Sequence, residues 1–222
     1  MGCIEKCYFD NPCGKSFHYL KYLPADYDPQ KKYPLVVFLH GAGERGKPDG
    51  SELDIVKVHF WFSRAAKGEE FPFVMVAPQC TTEDYWGAYI ESLNKFLDAV
   101  LAENAVDDRR VYLTGLSMGG TGTWLWSLAN PERFAAIAPV CGTGVAWYGG
   151  KLKDKPVWAF HGDVDDAVPP SCSLEMVRSI NQNGGHALLT LYPGVGHNAW
   201  DGAYAGSELM NWMLSYTNES KK

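Results

Sequence analysis

Residues 115–119 read Gly-Leu-Ser-Met-Gly, a G-x-S-x-G pattern centred on Ser117. The chemistry it suggests is nucleophilic. A serine hydroxyl on a sharp turn is exposed for attack on a carbonyl, and glycines two positions either side leave room that larger side chains would fill. The pattern alone is weak, since in a chain this glycine-rich it arises by chance in roughly one sequence in ten. Its setting is stronger evidence. "RRVYL" before it reads as a strand, and "MGGTGTWLWSLA" after it as a helix whose N-terminus would face a forming oxyanion.

A serine needs a base, an orienting acid and oxyanion donors. Six histidines are available. His18 lies in an early strand and His59 in an early helix. His186 starts the last strand, at the far edge of a parallel sheet. His40 and His161 end strands beside glycine and read as loop-packing residues. His197, in "YPGVGHNAW", follows the last strand on the edge where Ser117 belongs, and is the expected base. For the acid, "FHGDVDDAVPP" (160–170) offers Asp163, Asp165 and Asp166 between an apolar run and a helix. The residues themselves leave open which of the three acts, or whether the loop is solvated or binds metal. The loop "VVFLHGAGERG" (36–46) supplies small residues after a strand, and the N–H groups of Ala42 and Met118 are the expected oxyanion donors. No G-K-[ST] follows, which argues against a phosphate loop. Glu44 and Arg45 would either pair or rim the site, the competing and favoured reading for each being a solvated loop residue.

These residues need a scaffold, and from about residue 17 strand and helix signals alternate. "FHYLKYL" (17–23) reads as an edge strand and "YPLVVFLH" (33–40) as a central strand buried on both faces. A helix is predicted near 55–66 and a strand over 71–78. Leu93, Phe96, Leu97, Val100 and Leu101 make one apolar helical stripe. Strands follow at 109–115, 134–140, 156–162 and 186–194. Between the last two lies a helix with Leu174, Val177 and Ile180 in register, and a closing helix carries Leu209, Trp212, Met213 and Tyr216. Repeated β-α-β with buried strands means an α/β fold: a doubly wound, mainly parallel sheet with helices on both faces and its site at the carboxyl ends of the strands.

Composition narrows the function classes. At 222 residues, one domain spanning 1–222 is expected. The net charge of −6 and the lack of a basic cluster argue against nucleic-acid binding, and no apolar run reaches the length of a membrane span. The N-terminus "MGCIEKCYFD" has no signal-peptide core, so the chain as it stands reads as cytoplasmic; a processed N-terminus would instead mean secretion. Cys3, Cys7 and Cys13 lack zinc-site spacing, and Cys80, Cys141 and Cys172 read as small core residues, so neither a metal nor any cofactor is expected. Eight tryptophans argue for a large aromatic core, an aromatic-lined pocket, or both. Trp86, Trp147, Tyr148 and Trp200 fall in loops near the site edge; Trp86, Trp147 and Trp200 are expected to line substrate, the competing reading being that Trp200 caps the closing helix and the others pack under loops.

Taken together, "FLHGAGERG", "YLTGLSMGGTGTW", "FAAIAPVCG", "VWAFHGDVDDAVP" and "LYPGVGHNAWDGAY" occur in one order across about 15–216, and in this the chain resembles the small lidless α/β-hydrolase serine esterases. That group includes carboxylesterases labelled predicted peptidases, polyhydroxybutyrate-depolymerase-like proteins and feruloyl esterases. The resemblance implies the order nucleophile, acid, histidine, and places the acid of its G-x-x-D-x-x-V-P motif at Asp165, with Gly162, Val168 and Pro169. H-G-A-G stands here where lipases have H-G-G-G. About fifteen residues separate the strands at 134–140 and 156–162, too few for a helical lid. The implied activity is hydrolysis of a small-molecule ester, short-chain or phenolic, extending to phenolic esters of the plant cell wall. A peptidase, a thioesterase and a non-catalytic binding module on the same fold are the alternatives. Oligomeric state is not legible.

Overall fold

The computed structural model describes residues 1–219. Eight strands form one sheet: β1 (Cys3–Phe9), β2 (Phe17–Leu23), β3 (Tyr33–Leu39), β4 (Val74–Pro78), β5 (Val106–Leu116), β6 (Ala136–Val140), β7 (Trp158–Gly162) and β8 (Leu188–Tyr192). Their spatial order is β1-β2-β4-β3-β5-β6-β7-β8. β1 and β2 pair antiparallel with each other, as do β2 and β4, and all the remaining pairings are parallel. β3 and β5 are therefore central, and the carboxyl ends of β3, β5, β6, β7 and β8 share one edge.

Both faces are covered, as the continuous apolar run of β3 requires. Because strand side chains alternate, Leu35, Val37 and Leu39 point to one face. There they pack with residues of α2 (Ile90–Glu103), α3 (Met118–Ala129) and α4 (Ser171–Gln182), including Leu93, Phe96, Trp124 and Met176. Val36 and Phe38 point to the other, against α1 (Phe60–Ala65), α5 (Trp200–Ala205) and α6 (Glu208–Leu214), including Trp61, Tyr204 and Met213. Trp61, Trp86, Trp124 and Trp126 are fully buried, so half of the tryptophans serve the core. Among the described residues, the Trp61 and Trp124 indole N–H groups find no acceptor. That costs about 1–3 kcal/mol each, against about 1.5–3 kcal/mol or more gained by burying so large an apolar surface.

Several expected elements shift. Phe17–Leu23 is not the edge strand, because β1 pairs along its whole length; the "CIEKCYF" of β1 has no clean alternation to announce it. The helix expected near 55–66 is broken into a 3-10 turn at Leu53–Lys57 and α1, since His59 is extended and Phe60 takes φ +65. In α4 the buried stripe is Ser173, Met176, Val177 and Ile180, while Leu174 is half exposed. Tyr216 lies beyond α6, and α5 precedes it with no signal in the sequence. Cys80 and Cys141 are buried but Cys172 only partly so.

Helix α3 lies flush on the sheet. A Cβ added at Gly119 would sit on the Leu39 carbonyl, and one at Gly120 on the Val140 carbonyl. Alanine gains about 1 kcal/mol of helix propensity over glycine, but overpacking against fixed backbone costs about 1–3 kcal/mol or more, so the clash wins. Gly119→Ala should lower stability in urea unfolding by about 2 kcal/mol or prevent folding. Gly43→Ala, where an added Cβ meets nothing within 4 Å, should change it by less than about 0.5 kcal/mol.

Candidate active site

Ser117 stands between the end of β5 and the start of α3 with φ 53 and ψ −116, a conformation costly for any residue with a side chain. The surroundings enforce it. The Ser117 N–H donates to Val140 O at 2.9 Å, and its carbonyl accepts the first helical bond from Thr121 N–H at 2.9 Å. Gly115 and Gly119 allow the crossing, since a Cβ on Gly115 would approach Gly119 O at 2.5 Å and Leu39 O at 2.6 Å.

Ser117 Oγ is 2.7 Å from His197 Nε2, and His197 Nδ1 is 2.8 Å from Asp165 Oδ2. A carboxylate accepts, so Nδ1 carries the proton and Nε2 is left to take that of Ser117. Asp165 is buried, and its Oδ1 accepts from the N–H groups of Ala167 at 3.0 Å and Val168 at 2.9 Å. Burial pushes this carboxyl up, but the hydrogen bonds from His197, Val168 and Ala167 outweigh it and hold it below the ordinary carboxylate range. Asp163 and Asp166 are exposed, and Asp163 fixes the neighbouring loop by accepting from Gly194 N–H at 2.7 Å. The structure thus brings Ser117, His197 and Asp165 into one line and leaves the other two aspartates outside it.

The loop facing Ser117 is built on His40. This side chain is fully buried; its Nε2 accepts from Cys80 N–H at 2.9 Å, so its Nδ1–H donates to Gly41 O at 2.6 Å. Burial lowers its pKa from 6.5 to about 4, so the imidazole is neutral. Among the described residues, neither the Ala42 nor the Met118 N–H donates to a protein acceptor outside its own helix, so both are candidate oxyanion donors.

The three tryptophans separate. Trp86 is buried beneath the loop that follows β3, its Nε1–H donating to His40 O at 2.9 Å, so it does not present a face for substrate. Trp147 is 90% exposed on a 3-10 turn, and Tyr148 beside it is half exposed under Lys151. Only Trp200 stands at the site, its ring 5.3 Å from His197 and 5.6 Å from His59. Sequence reasoning missed the part played by Glu44, while His161 packs a loop as expected. Glu44 is no rim residue: its Oε2 accepts from Gly41 N–H at 2.8 Å and its side chain is only 12% exposed. The spacing of Gly41 to Glu44 is that of an N-cap and its third helical residue, the signal that could have found it. His161 is fully buried. It takes the Ser173 hydroxyl on Nδ1 at 2.7 Å and donates from Nε2 to Val168 O at 2.9 Å, with Asp165 Oδ2 3.2 Å from the same nitrogen, so it closes the acid loop.

Cys141, Asp165 and His197 hold ligand atoms within 4.8 Å of one another. A cation there would have to break the His197–Asp165 bond and deprotonate a thiol that burial pushes up to about 12, so the cluster fits hydrogen bonding and not metal ligation.

A sequence model of the family described as "Putative esterase" matches residues 11–188. "Probable feruloyl esterase C" of Aspergillus terreus is 25% identical over 173 residues, covering 75% of this chain and 62% of that protein. A solved thermostable esterase is 32% identical with a TM-score of 0.82, over 96% of this chain and 63% of that one. Esterase PE8 is 27% identical with a TM-score of 0.61, over 86% of this chain and 97% of that one. The chain therefore spans less than two thirds of the first two relatives.

The neutral His40 makes acid stability testable. Above pH 6.5 it is neutral folded or unfolded, and its contribution is complete. As pH falls from 6.5 to about 4, the unfolded chain takes a proton that the fold refuses, and stability is lost, by about 3 kcal/mol in all. Urea unfolding between pH 7 and pH 4 should show His40→Gln losing about 2–3 kcal/mol less than the wild type over this interval; equal slopes would mean that His40 is protonated in the fold.

Proposed function

Because the chain belongs to this esterase family, we propose that it hydrolyses carboxylic esters through Ser117, His197 and Asp165. The observation that carries the reading is the hydrogen-bonded line from Ser117 Oγ through His197 to Asp165 beside two unpaired N–H groups. His197 Nε2 takes the Ser117 proton as Oγ attacks the ester carbonyl, and the Ala42 and Met118 N–H groups receive the oxyanion. Collapse of the tetrahedral intermediate breaks the bond to the alcohol oxygen, which takes the proton from His197. Water, deprotonated by the same nitrogen, then attacks the acyl-enzyme, and the acid and free Ser117 are released. Asp165 holds Nδ1–H throughout and stabilises the imidazolium without taking its proton.

For substrate we propose a short-chain or phenolic ester. Trp200, placed edge-on to His197, offers a planar surface next to the reacting atoms, and the name of the Aspergillus relative is that of a feruloyl esterase. The preference rests on Trp200, the one of the three in ring contact with His197, since Trp86 is buried and Trp147 is 90% exposed.

Turnover of aryl acetate, butyrate, a long-chain ester and methyl ferulate tests both levels. Ser117→Ala and Asp165→Asn should each lose about 10⁴-fold or more in kcat, while Asp163→Asn and Asp166→Asn stay within a few-fold of wild type. A dead Asp166→Asn with an active Asp165→Asn would move the acid by one residue. Trp200→Ala should lower kcat/KM for methyl ferulate about tenfold more than for the acetate, and a uniform loss would remove the phenolic preference. Failure of an organophosphonate to label Ser117 in folded protein would favour a binding module.

A further inference from the structure

The donor N–H of Ala42 lies in a loop that must hold its shape while charge develops beside it. On one side the loop touches the nucleophile turn, since a Cβ on Gly41 would come 2.7 Å from Leu116 Cδ1. On the other it is held by the residues that follow it. Glu44 Oε2 accepts the Gly41 N–H at 2.8 Å, and the Glu44 N–H returns to Gly41 O at 3.4 Å. Arg45 Nε–H donates to Ala42 O at 3.0 Å. The Glu44 carbonyl is pinned in turn by Gln79 Nε2–H at 3.0 Å. The carboxylate's other oxygen faces His59 Nε2 at 3.6 Å, and His59 packs on Trp200, which packs on His197.

A carboxylate this close to an oxyanion site needs a reason. Negative charge there opposes the charge that forms on the substrate oxygen, and so does not itself help catalysis. What the side chain supplies is an acceptor at a fixed distance. Without it the Gly41 N–H, one peptide before the donor, has no partner and is free to turn toward the forming oxyanion or away from it. The peptide plane of Gly41–Ala42 then loses its orientation, and oxyanion stabilisation depends on donors already aimed before the reaction.

We propose that Glu44 is a positioning residue of the oxyanion loop, acting through its hydrogen bond to Gly41 and not through its charge. The proposal rests on the catalytic reading above. It predicts opposite outcomes for two conservative changes. Glu44→Gln removes the charge but keeps an acceptor at the same reach. Glu44→Asp keeps the charge but draws the oxygen back by one carbon, roughly 1.5 Å, which breaks a 2.8 Å bond.

The experiment compares wild type, Glu44→Gln and Glu44→Asp on an aryl acetate, with Gly41 amide hydrogen exchange followed on the same proteins. Glu44→Gln should keep kcat within about threefold. Glu44→Asp should lose about 10–100-fold in kcat, a part of the 10²–10³ associated with one oxyanion donor. KM should change by less than about threefold, because the hydrogen bonds to the oxyanion are made in the transition state. Gly41 exchange should be slow in wild type and Glu44→Gln and fast in Glu44→Asp. The reverse order of the two variants, with Glu44→Asp active and Glu44→Gln impaired, overturns the proposal in favour of a role for charge. Equal kcat in all three overturns it outright, as does a rise in KM at constant kcat. Exchange does not need turnover: if the wild type hydrolyses no ester, the esterase reading fails, and Gly41 protection still decides whether Glu44 holds the loop.

Discussion

Everything at the active edge hangs on the near contact of α3 with the backbone of β3. Gly115 and Gly119 bring the turn so close to the Leu39 carbonyl that no side chain fits between them. This contact forces Ser117 to φ 53. A residue held in such a conformation costs about 1–3 kcal/mol, which the buried faces of α3, with Trp124 and Trp126, can readily offset. The same approach brings the start of α3 to the end of β3, so the Met118 N–H at the helix start and the Ala42 N–H after β3 come from elements locked together. The proposed nucleophile and oxyanion donors are therefore not independent features placed side by side; one packing constraint positions both.

A second constraint governs the acid. Three carboxylates within four residues cannot all leave water without raising one another's pKa. The loop after β7 resolves this by burying one. Asp165 turns inward to the N–H groups of Ala167 and Val168 and to His197, while Asp163 and Asp166 stay in solvent. His161 ties the loop down from beneath through the Val168 carbonyl, so both polar groups of the Val168 peptide are used, one on the acid and one on the histidine. A loop that looks like a run of interchangeable charges is in fact one desolvated acceptor, one exposed loop anchor at Asp163 and one solvated flank at Asp166.

The order of elements was legible because the strands of a doubly wound sheet are continuous apolar runs and α2 has an unbroken stripe. Ser117 and His197 were legible because motif and strand end coincide there; Asp165 was singled out from its two neighbours only by the family resemblance. What was not legible depends on three-dimensional neighbours. β1 shows no period because neither of its faces is fully covered, every position being exposed or partly buried. The 55–66 helix pattern is real, but Phe60 breaks it with a positive φ that allows its ring to stack on Phe38. Tryptophan is equally at home under a loop and in a pocket, so nothing in the sequence separated buried Trp86 and exposed Trp147 from Trp200. Glu44 was misread because a charged residue in a polar loop is usually solvated, and only its distance from Gly41 says otherwise.

The histidines show how environment and not residue type assigns a role. His40 and His197 both follow strands at the same edge, and each uses both ring nitrogens. His40 is sealed between the Cys80 N–H and the Gly41 carbonyl, neither of which can take or give up a proton, and burial keeps it neutral to about pH 4. It can serve only as a rigid strut. His197 meets a hydroxyl on one side and a carboxylate on the other, and its side chain is 26% exposed. A proton arriving on Nε2 is stabilised by Asp165 and has a route onward to substrate or water. On the proposed reading, this edge holds one imidazole that burial keeps from changing its charge, beneath the loop after β3, and one that exchanges a proton with Ser117.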